Sequence, residues 1–271
     1  MDFHRVQMKH IYHNCWIIQA RVMWKAHVKE NGMGNLYLQC ILLDRHGSKM
    51  EAIAFNSQAI RFNNVLETGR TNDFNRVGFN PTEMPDGHFW YLAMDFVTTL
   101  SSTTEVTMSA QQITSTICPP CFPQFGEIFE LRDTTITDVV AILAYVGQIE
   151  FKWDSIYRRR VPSLEIGLMN FQQQIIFLRV REEHVGPHFW HLQCTANLFE
   201  KFAVTYIQVN QRQRCLQTMR ESTFFFSSNI NDDHHYLQDI HEASLMTLDE
   251  TRAYVNRVVQ GRNNGRQKYH S

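Results

Sequence analysis

Leu36-Tyr-Leu-Gln-Cys-Ile-Leu-Leu-Asp-Arg-His-Gly-Ser-Lys-Met-Glu-Ala-Ile-Ala-Phe55 reads as two strands joined by a tight turn. The first strand covers Leu36 to Leu43 and the return strand Lys49 to Phe55. Asp44, Arg45, His46 and Gly47 reverse the chain, and Gly47, lacking a Cβ, is free to take a positive φ there. In the return strand Met50, Ala52 and Ala54 alternate with Glu51, Ile53 and Phe55. Period-two alternation places Phe55 on the face opposite Ala54. A ring on that face is a stacking platform or half-buried packing, and taken alone it favours packing.

Working outward, Cys15 to Trp24 is a strand rich in β formers, and Lys25 to Asn35 is a polar loop with Gly32 and Gly34. After the hairpin, Ala59, Ile60, Phe62, Val65 and Leu66 fit helical spacing over Asn56 to Glu67, with Gly69 as the stop. Thr71 to Phe79 is a fourth strand, Asn80 to Gly87 a turn with Pro81 and Pro85, and Phe89 to Thr99 a fifth strand. The order β-β-β-α-β-β is that of the OB fold, a five-stranded Greek-key barrel.

Ser101 to Phe125, rich in Ser, Thr and Gln and closing on Cys-Pro-Pro-Cys-Phe-Pro, reads as a linker. Ile128 to Thr137 leads into a second unit. Val139 to Val146 is a strand, Glu150 to Pro162 a charged loop with Arg158, Arg159 and Arg160, and Leu164 to Val180 one or two strands. His188 to Thr195 is read as a strand and Asn197 to Phe202 as a short helical piece, with Val204 to Val209 and Cys215 to Phe226 completing the unit. The second half is thus a divergent repeat of the first. The expected architecture is all-β: two tandem OB-fold five-stranded Greek-key barrels and a short C-terminal helical tail. The expected bounds are 10–109 for the first barrel, 110–127 for the linker, 128–232 for the second barrel and 233–271 for the tail.

Length and composition fit two ordinary domains: 271 residues, 44% hydrophobic and 20% charged. Aromatics make up 12%, which favours β structure and leaves rings over for a surface. With only 12 Gly, a Gly-rich phosphate cradle is not expected. A net charge of -1 and a pI near 6.9 lack the global basic signature of nucleic-acid proteins, although a local basic groove is what binding needs. The N-terminus lacks the apolar core of a signal peptide, and the longest apolar run, Val139 to Val146, is too short to span a bilayer. A soluble intracellular protein with reduced thiols is expected.

The run Trp16-Ile-Ile-Gln-Ala-Arg-Val, followed by Leu42-Leu-Asp-Arg-His-Gly-Ser-Lys-Met-Glu-Ala-Ile-Ala-Phe-Asn, resembles the first central DNA-binding domain of the replication protein A large subunit, its plant versions above all. The second half resembles the next OB domain of that subunit, through Ile136-Thr-Asp-Val-Val-Ala-Ile-Leu-Ala-Tyr-Val-Gly, Leu192-Gln-Cys-Thr, Phe199-Glu-Lys-Phe and Ser227-Ser-Asn-Ile-Asn-Asp. The resemblance spans about residues 10 to 232 and implies binding of single-stranded DNA in the nucleus, without catalysis or cofactor, in replication, repair or recombination. Such grooves follow the backbone with basic side chains and stack bases on aromatics. By resemblance Phe55 is one stacking aromatic and Phe89 or Trp90 the other. Candidate phosphate or base contacts are Arg21, Lys25, Lys29, Arg45 and Lys49, each alternatively a solvated charge. The second domain departs from the pattern: Ala196 and Asn197 stand where the family has an aliphatic residue and Trp, and no aromatic lies near Asn210 to Gln213. Phe189 and Trp190 are possible substitutes or core, and Arg212 and Arg214, with Lys201, Arg179 and Arg181, are its phosphate candidates. Lacking the family's third, zinc-bearing domain, the chain is expected to be a short paralogue or a fragment. Its expected partners are single-stranded DNA, other replication protein A subunits or repair proteins, with no membrane.

Other constellations carry less. Cys118-Pro-Pro-Cys121 lacks the strand and helix of a redox site and the second pair of a zinc ribbon, so it reads as linker punctuation. His184, His188 and His191 are dense, but Gly186 and Pro187 argue against one rigid face. Asp232-Asp233-His234-His235 reads as a polar tail segment. No metal site is expected, and no GxSxG, HExxH or P-loop pattern suggests an enzyme. The competing readings are an OB-fold protein-interaction adaptor with a decayed DNA groove, and a binder of single-stranded RNA.

Overall fold

The computed structural model of the chain describes residues 1–82, 90–114, 116–154, 158–170, 172–230 and 248–267. They form two compact units, Met1–Cys121 and Phe122–Ser271.

In the first unit β1 (Trp16–Lys25), β2 (Lys29–Glu30), β3 (Leu36–Leu43) and β4 (Lys49–Phe55) are followed by α1 (Asn56–Val65), then β5 (Thr71–Pro81), β6 (Phe96–Thr99) and β7 (Glu105–Met108). The barrel runs β1-β3-β4-β6-β5 and closes by pairing β5 with β1. β4 and β6 are parallel, the other barrel pairs antiparallel. This is the OB arrangement, with its helix between the third and fourth barrel strands. The β3–β4 hairpin has the bounds its sequence predicts. Gly47 at its turn has φ +83, and a Cβ there would collide with the Ile117 carbonyl, so both conformation and space require glycine.

The second unit repeats the plan. It contains β8 (Ile136–Val146), β9 (Glu150–Asp154), β10 (Arg159–Met169), β11 (Ile175–Val180), α2 (Glu182–Leu198), β12 (Lys201–Asn210) and β13 (Cys215–Phe226), with α3 (Leu248–Gln267) at the C-terminal end. Its barrel runs β8-β10-β11-β13-β12 and back to β8, with β11 and β13 parallel. Both barrels also carry a positive-φ residue in the fourth barrel strand, Arg76 in β5 and Tyr206 in β12, where pairing with the first strand shifts register. Such bulges bend a strand around a barrel. The fold is therefore all-β, in two tandem OB barrels.

Several local expectations are corrected. The fifth strand is confined to Phe96–Thr99, and Phe89 lies outside the described residues. The linker-like segment contributes β7, which pairs with β5 through Asn72↔Met108. The charged loop Glu150 to Pro162 contains β9 and the start of β10, paired from Glu150↔Ser163 to Asp154↔Arg159. His188 to Thr195 is not a strand but part of α2. Its buried residues His184, Val185, Leu192, Thr195 and Ala196 follow helical spacing, a stripe disguised by its polar members. Pro187 removes one helical N–H and is tolerated. The predicted helical piece at Asn197 to Phe202 is instead the end of α2, closed by Phe199 in the left-handed region, and the start of β12. The Phe199 N–H donates to the Ala196 carbonyl and the Glu200 N–H to that of Thr195.

The cores follow the alternation. Leu38, Cys40, Leu42, Met50, Ala52 and Ala54 point into the first barrel with Phe62 of α1 and Phe74 of β5. Val139, Leu143, Ile166, Leu178, Phe202 and Leu216 fill the second. Among the described residues no helix is long and apolar enough to cross a membrane.

Candidate nucleic-acid interface

In OB folds the second and third barrel strands, with the loops between strands one and two and between four and five, form the ligand face. In the first unit those strands are β3 and β4. The face opposite the core carries Tyr37, Gln39 and Ile41 on β3, and Glu51, Ile53 and Phe55 on β4. Most of it is covered. Gln39, Ile41, Glu51 and Ile53 are buried, and the Tyr37–Phe55 end is half-buried.

The cover comes in part from the loop between β5 and β6. The backbone N–H groups of Tyr91 and Leu92 donate to Glu51 Oε2 at 2.9 and 3.3 Å, and Gln39 Nε2 donates to Glu51 Oε1 at 2.9 Å. Burial pushes the Glu51 carboxyl up to about 7, against the downward pull of these three hydrogen bonds. A buried carboxylate thus ties that loop to the barrel.

At the open end, a row crosses three strands in register: Lys29 of β2 opposite Tyr37 of β3, itself opposite Phe55 of β4. Residues directly opposite share a face. Tyr91 borders the row. Its hydroxyl accepts a hydrogen bond from Lys29 Nζ at 2.8 Å, which holds the lysine above its ordinary pKa, and its ring meets Trp24 edge-on at 4.9 Å. Trp90 precedes it and donates from Nε1 to the Thr82 carbonyl at 2.9 Å. The arrangement joins aromatic rings to a cation at one end of the hairpin, and can stack planar groups while neutralising an anion.

The other predicted contacts are dispersed. Lys25 Nζ donates to the carbonyls of Asn63 and Leu66 at 2.7 and 2.8 Å, so its charge sits on the C-terminal end of α1. Arg21, half-buried on β1, donates to the Ile113 carbonyl at 3.4 Å. Arg45 lies at the hairpin turn, 3.4 Å from Asp2, at the far end of the strands from Phe55 and roughly 20 Å from it. Lys49 begins β4 beside that turn, opposite Leu43. The structure therefore brings together Phe55 and Lys29, with Trp90 in the neighbouring loop. Tyr37, Tyr91, Trp24 and Glu51 are additions that sequence reading missed. Tyr37 was within reach, since counting back from the Gly47 turn sets it opposite Phe55.

In the second unit Arg212 and Arg214 are exposed in the turn between β12 and β13, and the Arg214 guanidinium lies 6.0 Å from the Phe129 ring centre. Phe189 and Trp190 belong to α2 and not to a barrel strand, Phe189 packed on the core and Trp190 77% exposed. Arg179 on β11 is opposite Glu165, Arg181 stands 3.7 Å from Glu183, and Lys201 begins β12. Among the described residues no group of three or more His, Cys, Asp or Glu side chains is placed to hold a metal ion. Cys118 and Cys121 are not joined in a disulfide.

Two family models divide most of the chain between them. Residues 7–128 match a domain of unknown function, DUF223, and residues 123–217 match a second domain of unknown function, DUF8448. No curated protein matches the sequence. Among solved structures, the chain is similar to a replication protein A heterotrimer bound to ssDNA, at 18% identity and a TM-score of 0.45, over 91% of this chain and 56% of that one. It thus spans little more than half of that chain's length. It is also similar to DNA-binding domain A of S. cerevisiae replication protein A, at 24% identity and a TM-score of 0.33, over 41% of this chain and 95% of that one. Fission yeast Pot1 with ssDNA matches at 8% identity and a TM-score of 0.34, over 90% and 92%.

Proposed function

We propose that the protein binds single-stranded DNA without catalysing a reaction on it, as a nuclear protein of the replication protein A large-subunit type acting in replication, repair or recombination. The observation that carries this reading is the Lys29–Tyr37–Phe55 row across β2, β3 and β4, bordered by Tyr91. Its rings accept any base, since every base has a π face, and its lysine meets the phosphate charge. The partners that fit are the single strand itself, other replication protein A subunits and repair proteins.

Fluorescence anisotropy with a labelled oligo-dT of a few tens of nucleotides tests this, at two salt concentrations and beside duplex and RNA competitors. Binding that prefers the single strand and weakens with salt is expected. RNA competing as well as DNA would shift the reading to single strands of either kind.

The adaptor reading draws on one observation: most of the β3–β4 face is buried, and Tyr91 and Leu92 of the β5–β6 loop are hydrogen-bonded to Glu51 on it. Absence of single-strand binding at low salt would overturn the first reading in favour of this one.

A further inference from the structure

In the second unit β10 is longer than its place in the barrel requires. It pairs with β8 only over Ile166–Met169 and with β11 only over Leu164–Met169. Its first five residues, Arg159 to Ser163, pair with β9. The result is a two-stranded ribbon, about 17 Å long, running on beyond the barrel pairing from the connection between the first and second barrel strands.

One face of this ribbon is aromatic. Phe151 and Trp153 are two residues apart on β9 and so share a face, about 6.7 Å apart along the strand. They are 65% and 66% exposed, an unusual state for such rings. Arg160 lies directly opposite Trp153 and Pro162 opposite Phe151, on that same face. Lys152 is occupied by Glu150 at 3.0 Å, and Arg159 by Glu182 at 2.9 Å, which ties the ribbon to the start of α2. Arg158 and Arg160 are exposed and enter no ion pair among the described residues.

We propose that Phe151, Trp153 and Arg160 form the base-stacking site of the second domain, each ring receiving one base of a single DNA strand and Arg160 a neighbouring phosphate. This rests on the reading of the chain as a single-strand binder. Charge selects the occupant: exposed rings flanked by the exposed guanidinium groups of Arg158 and Arg160 suit an anionic, π-bearing polymer better than an apolar protein surface. The first unit supports it by position. There β2 occupies the same connection, pairs with the second barrel strand in the same way, and contributes Lys29 to the aromatic row. The third barrel strand of the second unit also carries a ring, Phe177, but that ring is buried with the Arg262 guanidinium 4.1 Å from its centre, whereas the rings of the ribbon are exposed.

The test uses the full chain and two labelled oligo-dT lengths, about 8 and about 25 nucleotides, bracketing one and two domains' worth of single strand. Phe151→Ala/Trp153→Ala is expected to keep the wild-type melting curve and to lose at least about fivefold in affinity for the longer oligonucleotide. Arg160→Ala should lower the salt dependence of that binding by about one released counterion. Trp153→Phe should keep affinity while removing part of the tryptophan quenching expected on binding. If the wild type binds and Phe55→Ala weakens it, but the double variant binds as tightly as wild type, the ribbon site is wrong and the single-strand reading stands. If the wild type fails to bind at low salt, both fall. A double variant that changes only the sedimentation mass of the free protein would make the ribbon a self-association face and also overturn the proposal.

Discussion

The carboxylate of Glu51 on β4 accepts the backbone N–H of Tyr91 at 2.9 Å, so a buried acid holds in place the loop that carries the Tyr91 ring to Lys29. The folded-state pKa of Glu51, about 7, lies above the ordinary carboxylate value because burial outweighs its hydrogen bonds. The folded state therefore binds the proton more tightly than the unfolded chain. The stabilisation is fully present below the unfolded pKa, near 4.5, and is lost as pH rises through about 7. Glu51→Gln keeps an acceptor for the loop and never ionises. Denaturant melts at pH 5 and pH 8 should show the variant gaining on wild type at the higher pH, by an amount on the order of 2–3 kcal/mol. A wild-type-minus-variant difference that stays flat across this range would mean Glu51 is not buried under the loop.

Phe55 and Phe62 are seven residues apart and have opposite expected roles. Phe62 is fully buried beneath α1, and Phe55 is half-buried at the end of the row. Phe62→Ala should cost about 3–5 kcal/mol of stability. Phe55→Ala should leave the barrel folded and weaken oligo-dT binding by about 1–3 kcal/mol. Unfolding by Phe55→Ala would make it a core residue instead.

Lys25 and Lys29 read alike in sequence, as two cations in one polar stretch. The structure separates them. Lys25 caps the carbonyls of Asn63 and Leu66, whereas Lys29 reaches Tyr91 beside Phe55. Lys25→Met should lower stability by about 1 kcal/mol and leave the salt dependence of DNA binding unchanged. Lys29→Met should lower that slope by up to about one counterion and cost little stability. Equal salt slopes for the two variants would remove Lys29 from the interface.

What the sequence discloses and what it hides follow from how local each signal is. The β3–β4 hairpin was legible to the residue because alternation and Gly47 fix register within one stretch. The barrel order was legible because helix and strands follow one another in chain order. The second unit hid α2, because His184 and Thr195 interrupt its apolar stripe and Gly186-Pro187 mimic a break. The ribbon was hidden because Glu-Phe-Lys-Trp-Asp mixes charge with its rings, although Phe151 and Trp153 keep period two. The fates of Lys25 and Glu51 depend on contacts 38 to 41 residues away in sequence, which no local pattern encodes.

The histidine stripe of α2 gives a pH response of the opposite sign to that of Glu51. His188 stacks on His184 at 6.2 Å between ring centres and packs against Phe224 and Phe226, with His191 also on Phe226. Burial first, and then the charges of His184 and His191, lower its pKa below the ordinary 6.5. The unfolded chain therefore takes up the proton first. The stability that neutral His188 lends the second unit is present above pH 6.5 and is lost as pH falls through the lowered folded value. His188→Leu cannot be protonated and keeps an apolar side chain against Phe224. Its melting temperature relative to wild type should rise on acidification from pH 7.5 to 5.5, over the range in which Glu51→Gln loses its advantage. The two units thus respond to acid in opposite directions at these sites, and the paired variants separate them. A His188→Leu difference independent of pH would show that the stripe is solvated.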